Sequence, residues 1–450
     1  MGARYSGNFS SNHGNDCLFI SILGGCSGAQ KSGNFVLDAF QLIEPETGVL
    51  HDKYVAVRAV FVDQDETVLG LLGFDLLQDS LALEHGGEDI ARVARGIVRG
   101  NEAAEKLFGI LVPAELGGEE ASVADVVDIC YSLGRACSST GMIYAMHQVK
   151  AACVAYHGMD STWHRAFMAR MVEDQLLLAS STTEGKGGGN VRSSEAAIEH
   201  ADNRIVLVRD ASVISYGAQA DAVVTTARRA AESDASDQVL VVFEKKNYVL
   251  EKTVGWDTLG MRGTCSAGFS LKAVGSPKQV MPVPYGIIHA QTMVPTSHLM
   301  WAGNWAGIAA GAVDRAKKFM RKAQRGGGDL PPGVPHFTKA LANLRSLRAL
   351  IAASLNRYEA IAKDPKALSA IDFQTAINLL KVDASELAVE TVMNAMRAAG
   401  LSGYRNDTDV SIGRSLRDVL SSPIMINNDR ILSSLAGSTI LSDIPSSIRD

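Results

Sequence analysis

Three successive textures in the 450 residues predict an α+β chain with a helical N-terminal domain, a middle antiparallel β-barrel or sandwich, and a C-terminal helical bundle. The first observation is helical spacing of apolar residues before about residue 175. The second is a set of short β-branched runs with no helix between them over 176–290. The third is the return of long apolar stripes at spacings of three, four and seven from about 291.

Residues 1–64 read as an atypical extension, because 1–50 are rich in Gly, Ser and Asn and carry few periodic apolar positions. The helical domain is assigned to 65–175. Val126, Val127, Ile129, Cys130 and Leu133, then Tyr144, Val149 and Ala152, recur at helical spacing. Ile110 to Gly118, with Pro113, Gly117 and Gly118, interrupts it as a connector. The β domain, 176–290, contains strand-like runs at Leu176–Ser180, Arg204–Arg209, Asp221–Thr226 and Gln238–Glu244. The bundle occupies 291–450. Phe337, Leu341, Leu344, Ile351, Leu355 and Tyr358 form one stripe, and Leu379, Val382, Val389, Met393 and Met396 suggest a second. A last helix is expected over 424–441. Gly326-Gly327-Gly328 and Gly400–Gly403 mark the breaks.

Composition narrows the function. A formal charge of −6 argues against nucleic acid as the main partner, since phosphates need a basic surface. The six cysteines have no Cys-x-x-Cys pairing, which suits reduced cytoplasmic thiols and gives no metal site. No apolar run reaches the length of a membrane-spanning helix.

The most informative segment is Trp256-Asp257-Thr258-Leu259-Gly260-Met261-Arg262-Gly263-Thr264-Cys265-Ser266, read as a strand that runs on into 267–271. Its glycines permit close backbone approach, Arg262 adds a fixed cation, and Thr264 and Ser266 add hydroxyls. Packing a sheet asks for none of this. The segment resembles the "W-x-x-L-G-M-R-G-T-x-S" strand of the FAD-dependent acyl-CoA dehydrogenase superfamily. The helical, β, helical order is also that family's, which implies a four-helix bundle at the C-terminus.

Further residues extend the resemblance. Thr182-Thr183-Glu184 leads into a glycine-dense turn that includes Gly188 and Gly189, where successive backbone N–H groups can form an anion-binding concavity. It is similar to the family's "T-E-P-G-A-G-S-D" loop, with Gly189 and Asn190 in place of its serine and aspartate. Ser215, in Val213-Ile214-Ser215-Tyr216-Gly217, stands where the family has the hydroxyl of "W-I-T-N-G", which implies a hydrogen bond to the flavin ring. Val213 replaces the tryptophan. By the same resemblance Arg262, Thr264 and Ser266 lie close to the FAD, and Arg325, Gly400 and Gly403 approach its adenine end from a neighbouring subunit. Arg262 alone reads equally well as a structural ion pair.

The catalytic base is where the chain departs from its relatives. Abstraction of an α-proton from an acyl thioester needs a carboxylate aimed at that carbon. The family supplies it from "Y-E-G-T", eight residues after an Arg-Asp pair. Counting from Arg417-Asp418 reaches Ile426, and the alternative glutamate position of some relatives falls near Ser297. Asp429 and His298 are the candidate substitutes, although Asp429 also suits a helix cap. The resemblance implies an FAD-dependent acyl-thioester dehydrogenase; a flavin monooxygenase or oxidase, which needs no such base, and a silent flavin-binding paralogue are the alternatives. It further implies a small-molecule substrate, an electron-accepting flavoprotein or a flavin reductase as partner, and a homotetramer or homodimer.

Overall fold

The computed structural model describes residues 107–184, 191–325 and 330–441, together with the strand backbone within 36–76. It divides into two units, Met1–Leu77 and Gln78–Asp450. In the first, β1 (Val36–Ile43), β2 (Leu50–Val62) and β3 (Val68–Leu76) form an antiparallel meander, with Ala39 opposite Val57 and Ala59 opposite Leu71. The alternating valines of β2 suit a pleated strand, a pattern hidden by the polar residues around it.

In the second unit, α1 (Val123–Ala136) begins at a capping box. Ser122 Oγ accepts from Asp125 N at 3.1 Å, and Ser122 N donates to Asp125 Oδ2 at 2.8 Å. The following helix, α2 (Ser138–His157), is buried on nearly every side, and α3 (Thr162–Glu173) completes the N-terminal helical region. His147 fastens α2 on both ring nitrogens: Nε2 donates to Phe108 O at 2.8 Å and Nδ1 accepts from Leu178 N at 3.0 Å.

The middle region contains two sheets. The first has the order β5-β6-β10-β9, with β5 (Glu199–Ala201), β6 (Arg204–Ala211), β9 (Tyr248–Val254) and β10 (Gly268–Gly275), all antiparallel. The second has the order β4-β7-β8, with β4 (Leu178–Ser181), β7 (Ala222–Arg228) and β8 (Gln238–Glu244). Among the described residues neither sheet closes on itself, so of the expected barrel or sandwich the barrel is not seen. The region is also not wholly antiparallel, because β4 runs parallel to β7. Burial separates the sheets: β6 alternates between buried and exposed positions, whereas β7 and β8 are buried almost throughout.

The short helix α4 (Tyr285–Ile288) and one π-helical turn, His289–Met293, lead into α5 (Val294–Arg325). Gly303, Gly307 and Gly311 sit one turn apart on the face of α5 that meets α1. A β-carbon at Gly307 would lie 2.2 Å from Tyr131 O, so only glycine allows that approach. Then follow α6 (Val334–Ile361), α7 (Pro365–Ser369) and α8 (Ile371–Tyr404), which bends at Gly400. After α9 (Gly413–Val419) and a turn, α10 (Asn428–Leu441) packs on α8. The stripe expected on α8 holds in part. Val382 and Met396 are buried, but the face is centred on Ile377, Leu380, Ala384, Ala388, Val392 and Ala395, and Met393 is exposed. No helix among the described residues is long and apolar enough to cross a membrane.

Candidate functional site

The segment 256–266 is a loop rather than a strand. It contains a single 3-10 turn, Arg262–Thr264, flanked by left-handed residues Met261 (φ 54°) and Cys265 (φ 47°). The strand begins only at Gly268. Two features hold this costly backbone. A β-carbon at Gly260 would lie 2.1 Å from Arg417 O, so the loop lies directly against the backbone of α9. There Met261 N donates to buried Asp418 Oδ1 at 2.7 Å. Burial raises the Asp418 pKa, and the Met261 N–H opposes that by favouring the carboxylate.

A second loop, after β6, is clamped to the first. Ile214 N donates to Ala267 O at 2.9 Å and Tyr216 N to Thr264 O at 2.8 Å. Ser215 therefore faces the 256–266 loop. Its Oγ lies 2.8 Å from Ser266 Oγ, which lies 2.7 Å from Thr264 Oγ1, which donates to Met261 O at 2.8 Å. Three of the residues singled out from sequence thus form one buried row of hydroxyls.

The row lines a chamber of about 940 Å³, walled also by Thr182, Thr183, Val213, Trp256, Trp301 and Ile426. A second chamber of about 510 Å³ adjoins it. Met146, Ser180, Thr182, Trp301, Ile426 and Arg430 border both. The smaller one reaches Val149 and Lys150 on α2, Met293, Ser297 and His298 on the approach to and start of α5, and Ile431 on α10. Among the described residues no carboxylate lines it.

The remaining predicted residues are placed as follows. Asp429 lies in the exposed first turn of α10, on the wall of the larger chamber only. The α10 cap is the neighbouring Asn427, whose Oδ1 accepts from Asp429 N at 2.8 Å and Arg430 N at 3.3 Å. His298 lines the smaller chamber with Nδ1 2.9 Å from Ile377 O, and burial pulls its pKa down to about 3, so the ring is neutral at physiological pH. Arg262, Arg325, Gly400 and Gly403 line neither chamber. Gly188 and Gly189 lie outside the described residues. Glu184, from the same motif, is an internal anchor: it accepts from Glu195 N at 2.6 Å and Ala196 N at 3.2 Å, and pairs with buried Arg209 at 3.1 Å.

Two buried lysines escape a reading of the sequence by motif. Lys381 Nζ donates to Ser422 O and Ile426 O, each at 3.0 Å, and to Asn428 Oδ1 at 2.7 Å. It thereby holds the turn that presents Ile426, itself left-handed at φ 48°. Burial lowers its pKa to about 7. Lys150 Nζ is 3.2 Å from Met293 Sδ. The available signal was a lysine flanked by apolar residues on a long helix, Val149-Lys150-Ala151 and Leu380-Lys381-Val382.

Residues 285–432 match the family model described as the acyl-CoA dehydrogenase C-terminal domain. The isovaleryl-CoA dehydrogenase of Pongo abelii mitochondria is 20% identical over 318 residues, covering 69% of this chain and 73% of its own. Over these residues the chain is similar to the acyl-CoA dehydrogenase family. FMN-bound TdsC from Paenibacillus sp. A11-2 shares the fold at a TM-score of 0.65 and 18% identity, over 80% of this chain and 97% of TdsC. The nitrososynthase of Micromonospora carbonacea var. africana does so at a TM-score of 0.65 and 20% identity, over 80% and 92%. This similarity agrees with the family resemblance drawn from the 256–266 segment.

Proposed function

We propose that this protein is a flavin-dependent oxidoreductase of the monooxygenase or oxidase type, acting on a small molecule held in the smaller chamber. The observation that carries this reading is Ile426, which stands at the junction of the two chambers at the position where the resemblance calls for a carboxylate, while the smaller chamber has no carboxylate in its described wall. Abstracting an α-proton from a thioester has no carboxylate to perform it there.

A flavin suits the larger chamber. Its volume accommodates a fused aromatic ring system, and the Ser215–Ser266–Thr264 row offers hydroxyls that both donate and accept. Ser215, Ser266, Thr182 and Thr183 would hold the ring and Trp256 would cover its edge. Bound there, a flavin supplies two-electron redox chemistry and, when reduced, reactivity toward dioxygen. The chain's own residues do the rest. Trp301, Met146 and Ile426 form an apolar partition that limits water at the junction of the chambers, and Lys381 fixes the turn carrying Ile426. FMN is bound by the TdsC neighbour, whereas an FAD would draw on Arg325, Gly400 and Gly403 of a second copy.

The second reading is acyl-thioester dehydrogenation. It would draw its base from His298, whose uncharged ring lines the smaller chamber but is a weak base because burial holds its pKa to about 3, or from Asp429 on the larger chamber's wall. Flavin titration followed by two assays separates the readings. Oxygen uptake that requires both reduced flavin and an added substrate supports the first. Anaerobic bleaching of the bound flavin by an acyl-CoA overturns it in favour of the second, and failure to bind any flavin sinks both.

A further inference from the structure

Five charged side chains besides histidine are buried among the described residues: Lys150, Arg209, Lys381, Glu184 and Asp418. Four of them are matched. Glu184 pairs with Arg209, Asp418 receives the Met261 N–H, and Lys381 meets two carbonyls and an amide oxygen. Lys150 differs. Its residue is 2% exposed, and the only hydrogen-bond partner it has among the described residues is the Met293 thioether at 3.2 Å, a weak acceptor. Burial lowers its pKa and the Arg209 charge lowers it further. The Cys153 thiol is pushed up to about 11 by burial, so it provides no counter-charge.

The amine of Lys150 borders the smaller chamber, whose other ionisable lining groups are Arg192, Arg430, His289 and His298. Burial also holds His289 down to about 4, so the positive charge there comes from lysine and arginine. The remaining wall is largely apolar: Met146, Val149, Met293, Val294, Trp301 and Ile431. A buried amine without a strong acceptor, at the edge of a cavity that has no acid in its described wall, is poorly solvated as a cation when the cavity is empty and is matched by an organic anion, which favours the charged form.

We propose that the smaller chamber binds a carboxylate-bearing substrate, with the carboxylate at Lys150 and the apolar body directed toward the junction at Ile426 and Trp301. The proposal rests on the flavin reading only in calling this ligand a substrate. Binding of the anion itself does not depend on a flavin.

The test is calorimetric titration of the full chain, with and without added FMN, using matched pairs of carboxylates and their primary amides from hexanoate to 4-phenylbutyrate. Each carboxylate that binds is expected to bind at least about tenfold more tightly than its amide, because a hydrogen-bonded charge pair replaces a neutral contact. Lys150→Met is expected to abolish that preference while leaving amide affinity unchanged, and Lys150→Arg to retain much of it. Equal binding of acid and amide in the unmodified protein, no binding of any pair at millimolar concentration, or an undiminished preference in folded Lys150→Met each overturns the proposal. The comparison in the unmodified protein stands even if a variant fails to fold. Flavin affinity, followed separately by fluorescence quenching, reports whether the flavin reading fails instead.

Discussion

The two adjoining chambers differ in their buried polar groups. The larger presents a row of neutral hydroxyls whose positions are fixed by backbone bonds between two loops, with Arg417, Asp429 and Arg430 also on its wall. The smaller is an apolar cavity with a buried lysine on one side and arginines on its edge. A row of hydroxyls can adapt its donors and acceptors to a neutral polar ring, whereas a buried ammonium selects for charge. One face of α2 and the turn at Ile426 serve both chambers, so recognition of the two ligands is separable although their walls are shared.

The most severe way to break the larger chamber alone is Gly260→Leu. The new side chain would collide with the α9 backbone, where nothing flexible can yield, and the expected loss is about 3 kcal/mol of stability with flavin affinity down roughly a hundredfold. Chemical denaturation and fluorescence titration measure the two effects.

The wall common to both chambers should weaken in acid. His147 titrates near 6.5 when unfolded, and burial holds it to about 4 in the fold. The unfolded chain therefore binds more protons between pH 4 and 6.5, so stability from this group is complete above 6.5 and is lost as pH falls toward 4. The full loss is about 3 kcal/mol. Urea midpoints for the unmodified protein and His147→Gln, taken at several pH values across this window, should show a shallower slope in the variant.

Asp418→Ala, which leaves the Met261 N–H without its acceptor, should cost about 1–3 kcal/mol and loosen the 256–266 loop. Hydrogen exchange at that loop, with α2 as the internal control, tests whether the damage stays on the larger chamber's side. Ser266→Ala interrupts the hydroxyl row at its centre and should weaken flavin binding by about tenfold, with carboxylate binding unchanged. A parallel loss of both affinities would show that the chambers are not separable.

The smallest effect is expected at Ile426→Gly. A β-branched residue at φ 48° is strained, so glycine there should recover about 1 kcal/mol, read as a small rise in thermal midpoint. If the midpoint falls instead, the packing of Ile426 between the chambers outweighs its strain.

Much of the fold is legible without coordinates. Strand runs at 204–209, 221–226 and 238–244 reappear in β6, β7 and β8, and the stripe of Leu344, Ile351 and Tyr358 is buried in α6. The period of burial produces those patterns directly. Thr264 and Ser266 were identifiable because hydroxyls and glycines in that arrangement serve no packing purpose, and Ser215 only through the family resemblance. The loop form of 256–266 was not identifiable, since its left-handed residues Met261 and Cys265 are not the types that announce such a backbone.

Residue types and their spacing therefore determined the order of the regions and the hydroxyl-bearing motif, and the family resemblance pointed to the loss of the usual base at Ile426. Only the tertiary structure decided which of those groups share a wall. Ser215 meets Ser266 across 51 residues because two loops exchange backbone hydrogen bonds, a long-range event that local spacing does not encode. Arg262, equally conspicuous in the motif, lines neither chamber. Lys150 lies on a helix buried on nearly all sides, so no polar stripe reveals which way its amine faces. Its meaning comes from what surrounds it: a thioether, an apolar cavity and, among the described residues of that wall, no acid.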